Sequence, residues 1–194
     1  GELGELGWPE RRERTGLAAL FARPPVPPEG GRPLRGLRVL DCGVGAVGVE
    51  IGRFFAEYGA DVIKIESSDA PDFIRVIMSS YLNPSFISSS RSKRSFGVDL
   101  RKPRGRELMQ ELVRCADVFI ENSGTGTWEK LGLGPQQLRG LNPRIVSVSS
   151  QSAGTSGPWK DWIGYGPSTH AFSGLQHLWN YPEDEERPAG STAV

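Results

Sequence analysis

From Leu34 onward, short apolar runs alternate with stretches whose apolar residues recur every third or fourth position. The runs at 37–41, 61–66 (DVIKIE), 95–100 (SFGVDL), 116–121 (ADVFIE) and 144–150 (RIVSVSS) are brief and bounded by glycine, proline or polar residues, which predicts strands. Residues 47–58 (VGVEIGRFFAEY) have the spacing of an amphipathic helix closed by Gly59. A second helix is predicted over 103–115, with Pro103 in its first turn, and residues 128–141 carry further helical pieces. Strands alternating with helices predict an α/β fold: a mainly parallel sheet with helices on both faces.

Residues 1–33 break this rhythm. A short helix is predicted over 9–22, followed by a proline-rich connector over 24–33, so this part reads as an extension and linker before a domain spanning 34–194. The chain begins at Gly1 and stops at the apolar stretch GSTAV, so an incomplete chain is expected. Among its 194 residues, 37% are hydrophobic and 24% charged, ordinary values for a soluble globular protein. Lysine plus arginine equals aspartate plus glutamate at 23 each, which leaves no electrostatic footprint for nucleic acid. No apolar run is long enough to cross a bilayer and the start is no signal peptide, so no membrane partner is expected. Cys42 and Cys115 form no disulfide pattern and point to a reducing, cytoplasmic setting. His170 and His177 fall on one face of a predicted helix without further ligand spacing, so no metal site is expected.

The stretch VLDCGVGAVGVE, residues 39–50, carries Gly43, Gly45 and Gly48 between a strand and a helix, and Glu66 closes the next strand. That context suits a dinucleotide fingerprint, with the acid on a ribose hydroxyl, or the first motif of an S-adenosylmethionine-dependent methyltransferase. A tight strand-to-helix turn needs glycine whatever the ligand, so the glycines alone leave both readings open.

Four later segments narrow the choice: ADVIKIE (60–66) with Asp72 and Arg75; RSKRSFGVDL (91–100); ADVFIENSGTGTWEKLGLGPQQLRGLNPRIVSVSS (116–150); and AGTSGP (153–158) with GYGPSTHAFSGL (164–175). In order, spacing and wording, residues 34–194 closely resemble the N-terminal part of the class III (CaiB/BaiF-like) CoA-transferases, which include formyl-CoA transferase and alpha-methylacyl-CoA racemase. The resemblance implies a Rossmann-like sheet in the large domain. It also implies a transferase that moves CoA between carboxylic acids, with coenzyme A as co-substrate, acyl-CoA and carboxylic acids as partners, and an interlocked homodimer for the full-length protein. Ala46 and Val47 match the loop that passes the CoA. Arg91, Lys93 and Arg94 match a CoA-contacting basic segment, Arg75 a D-x-x-R element, Asn122 and Gly124 an E-N-x-x-x-G element, Lys130 a basic position before L-G, and Tyr165 an aromatic of the CoA loop. Fixed cations and close-approach glycines suit a ligand rich in phosphate.

Departures from the family pattern are local. Val47-Gly48-Val49 stands for A-G-P, Asn122-Ser123-Gly124-Thr125-Gly126 for N-F-x-P-G, and Gly164-Tyr165-Gly166 for G-Y-D or G-H-D, with Tyr165 arguing against racemisation. The family's aspartate nucleophile follows a P-x-G loop matched by residues 187–194, so the catalytic aspartate is expected just beyond Val194 and this chain alone is expected to be inactive. A Rossmann-type methyltransferase or dehydrogenase is the runner-up, and a non-catalytic CoA-binding or dimerisation half a third possibility.

Overall fold

A computed structural model describes residues 31–77 and 83–178. The predicted helix over 9–22, most of the proline-rich connector and the loop over 187–194 lie outside the described residues. Strand β1 (Arg38–Asp41) leads into α1 (Val47–Glu57), and β2 (Asp61–Glu66) follows. Two short helices come next, α2 (Phe73–Ile77) and α3 (Pro84–Ser90), then β3 (Arg94–Gly97), α4 (Pro103–Cys115) and β4 (Val118–Glu121). Helices α5 (Thr127–Lys130) and α6 (Pro135–Leu141), strand β5 (Val146–Ser149), and helices α7 (Gly166–Phe172) and α8 (Leu175–Leu178) complete the described chain.

The five strands form one sheet in the order β3-β2-β1-β4-β5, and every pairing is parallel. Both faces of the three central strands are covered, as a parallel sheet requires. Val39, Val62, Val118 and Ile120 turn to α1, where Ile51, Phe55 and Ala56 meet them. Leu40, Ile63, Ile65 and Phe119 turn the other way, onto Met109, Leu112 and Val113 of α4 and Leu138 of α6. The period-two alternation of the central strands β1, β2 and β4 thus feeds two separate cores. Among the described residues no helix is long and apolar enough to cross a membrane.

Two local differences from the sequence reading have physical causes. Helix α3 had no periodic signature; Asn83 starts it by accepting from the Phe86 N–H at 2.9 Å, with Pro84 in the first turn. Gly174, at φ +76°, ends one helix before the next begins, so His170 lies on α7 and His177 on α8 rather than on one helical face.

Candidate functional site

The strand order reverses between β1 and β4, so the loops that follow these two strands diverge and open a crevice at the C-terminal edge of the sheet. One wall is the glycine turn. Gly43 and Gly48 pass so closely that a Cβ on Gly43 would lie 2.4 Å from the Gly48 carbonyl carbon. Gly45 sits at φ +70°, under the Phe73 ring. Its neighbour Val44 is held from across the crevice by Asn122, whose Oδ1 accepts from Val44 N–H at 2.8 Å and whose Nδ2 donates to the Val44 carbonyl at 2.9 Å. This clasp extends the β1–β4 pairing past the ends of both strands. Asn122→Ala leaves both Val44 groups without that partner and is expected to cost about 1–3 kcal/mol, read as a lower midpoint in urea denaturation.

The remaining turn groups are held from below by charged side chains. Asp41 Oδ1 accepts from Gly43 N–H at 2.9 Å, and Asp72 Oδ1 accepts from Gly45 N–H at 3.0 Å. Lys64 donates to the Gly43 carbonyl and lies 3.3 Å from Asp72 Oδ2. Five of the backbone polar groups of residues 43–45 therefore have partners within the protein. Amides so occupied do not cradle a pyrophosphate, which removes the main support for a dinucleotide site. Glu66 is committed too: it accepts from Asp72 N–H and meets Arg75 Nε at 2.7 Å and an Arg75 terminal nitrogen at 3.2 Å, in place of a ribose hydroxyl. Cys42 lies among these groups, and burial, reinforced by Asp41, pushes its thiol well above the ordinary value, so it is a poor thiolate.

The structure divides the residues singled out by sequence. Ala46 caps α1, and Val47 is 56% exposed at the crevice mouth. Gly124, ahead of α5, and Lys130, its last residue, are exposed on the β4 side. Tyr165 is exposed and meets Phe73 edge-on, at 6.3 Å between ring centroids, which brings it to the glycine turn. Arg75 is half-buried, with its guanidinium carbon 3.5 Å from the Phe86 ring centroid, joining α2 to α3. The basic cluster separates. Lys93 points inward, donating to Asp41 Oδ2 at 2.7 Å and to the Val49 carbonyl at 2.6 Å. Arg91 pairs with Glu57 at the C-terminal end of α1, and Arg94 with Asp61 at the start of β2. Helix α1 has 11 residues, so that end lies roughly 16 Å from the turn.

Sequence reasoning passed over Lys64 and Gln151, and took Asp41 only as the opening of the possible methyltransferase motif. A lysine inside an apolar strand run was the one available signal for Lys64, because a buried lysine needs a partner. Gln151 donates from Nε2 to Glu121 Oε1 at 2.9 Å and to the Ser123 carbonyl at 3.0 Å. Its buried Oε1 has no donor among the described residues, leaving an acceptor at the β4–β5 edge. Thr125 Oγ1 donates to the Lys160 carbonyl at 2.6 Å, tying the β4 loop to the following segment. There Trp159 stacks on Trp162 at 5.5 Å and meets Phe172 edge-on at 5.7 Å, all three exposed.

Comparison with known proteins gives a consistent result. The family model described as CoA-transferase family III matches residues 34–194. A probable CoA-transferase of Mycobacterium tuberculosis is 38% identical over 172 residues, covering 86% of this chain and 22% of that protein. The succinate–glutarate CoA-transferase of Agrobacterium fabrum is 34% identical, covering 81% of this chain and 42% of that protein. Among solved structures, a CaiB/BaiF family protein from Brucella suis superposes with a TM-score of 0.74 at 31% identity, covering 83% of this chain and 44% of that one. The chain thus spans less than half the length of these relatives.

Proposed function

The chain belongs to CoA-transferase family III, and from that premise we propose that it forms the nucleotide-side part of an enzyme moving CoA between carboxylic acids. The observation that carries this reading is the reversal of strand order between β1 and β4, which parts the loop carrying Ala46 and Val47 from the loop carrying Gly124. Lys130, exposed at the end of α5, is the cation assigned to the ligand, and Tyr165 supplies an aromatic face beside the glycine turn. Arg75 and Asn122 support the ligand through the segments they hold. Lys93 acts from below, through Asp41. Arg91 and Arg94, at the far end of α1, are assigned no contact at this crevice.

In the proposed reaction an aspartate carboxylate attacks the acyl-CoA carbonyl, the CoA thiolate leaves, and an acyl–aspartyl anhydride forms. The thiolate then attacks the aspartyl carbonyl, releasing the first acid as its carboxylate and leaving an aspartyl-CoA thioester. The acceptor carboxylate returns the sequence in reverse. No residue of this chain is assigned as that aspartate. The exposed rings of Trp159, Trp162 and Phe172, in contact through Trp159, form an apolar surface that a homodimer of the full-length protein would cover.

Calorimetric titration of the full-length protein with CoA, NAD and S-adenosylmethionine tests the reading. Saturable binding of CoA alone is expected. Saturable binding of NAD or S-adenosylmethionine, with none of CoA, overturns it.

A further inference from the structure

A strand–glycine–helix turn ordinarily offers its amides to an anion brought by the ligand. Here an anion is already seated. Asp72 Oδ1 accepts from Gly45 N–H at 3.0 Å and from Ile74 N–H at 3.1 Å, while Oδ2 faces the Lys64 ammonium at 3.3 Å. Lys64 in turn donates to the Gly43 carbonyl, so the pair grips the turn on both sides of Val44. Both side chains are inside the protein, at 3% and 1% exposure. A neutral Ser or Asn would serve as well to start α2. Burying two charges carries a desolvation cost that capping alone does not require. What the charged pair adds is a fixed negative group on the Gly45 amide, balanced from beneath.

We propose that Asp72, backed by Lys64, is a positioning residue that fills the anion seat of the glycine turn and fixes it for CoA. The ligand then meets the turn through Ala46 and Val47, and its phosphates are bound away from the Gly45 amide. Asp72 touches no substrate; it acts through Gly45. This inference rests on the reading of the crevice as a CoA site.

The test uses the full-length protein with Asp72→Ala and formate as a carboxylate-sized probe, against chloride at equal ionic strength. In the variant, formate is expected to raise Tm saturably. CoA affinity is expected to fall at least about tenfold without formate and to recover with it, as for a shift of a binding wall. The wild type should show no formate effect. Where the alanine variant is too unstable to purify, Asp72→Ser keeps the seat open and carries the same readout. Unchanged CoA affinity in a folded variant overturns the proposal. A loss that formate does not restore also overturns it, because it assigns Asp72 a structural role only. A wild type that binds no CoA removes the underlying reading instead, and the same titration shows it before any variant is compared.

Discussion

Lys93→Met is expected to destabilise the protein by about 3–5 kcal/mol, measured by urea denaturation of the full-length protein. The cause is Asp41, which has no exposed surface and rests against Gly52 of α1, where a Cβ would lie 2.3 Å from its Oδ2. With methionine at position 93 that oxygen loses the ammonium at 2.7 Å and has no route to water. Adding Asp41→Asn to the variant removes the orphaned charge, keeps an acceptor for Gly43 N–H and should recover part of the loss. The same comparison weighs the rest of the cluster. Arg91 is half exposed and pairs with Glu57 at the surface, so Arg91→Ala should cost no more than about 1 kcal/mol. Alkaline titration gives an independent check. Burial holds the Lys93 ammonium below its ordinary value of 10.5, with Asp41 working against the shift. Between the folded value and 10.5 the unfolded chain therefore binds more protons, and the contribution of this residue to stability rises with pH across that window. The methionine variant should lack that rise.

The parallel α/β sheet was legible because each strand and each long helix has an apolar period of its own. The edges of the fold were harder to read. Helix α3 has seven residues, PSFISSS, with no apolar stripe, and its start depends on one Asn83 side chain. At the site, the glycine turn was located correctly, but its role could not be read from G-x-G-x-x-G. What decides whether its amides accept a ligand is the set of side chains beneath, and Asp41, Lys64, Asp72 and Asn122 come from four separate segments. The RSKR run shows the same limit from the other direction. Adjacent residues before a strand leave the chain in different directions, so one short basic run becomes one buried lysine and two distant surface pairs.

Gly43→Ala is expected to cost about 3 kcal/mol and to abolish CoA binding, because the three atoms nearest its Cβ would all be backbone. The new carbon would lie 2.4 Å from the Gly48 carbonyl carbon, 2.7 Å from Gly48 Cα and 2.7 Å from Val49 N, so β1 and α1 must move apart. No side-chain rotation relieves that contact. Gly124→Ala is the counterpart on the opposite wall. Its nearest neighbour would be Thr127 Oγ1 at 3.9 Å, an ordinary contact, and the position is exposed. Stability should therefore stay within about 0.5 kcal/mol of wild type. On the proposed reading of the crevice a methyl group there narrows it, and CoA affinity is expected to fall about tenfold. The two alanines separate what the turn needs in order to fold from what the crevice needs in order to bind. If Gly124→Ala leaves both stability and CoA affinity unchanged, the β4 wall is not in contact with the ligand, and the CoA must lie along α1 and the Phe73–Tyr165 side.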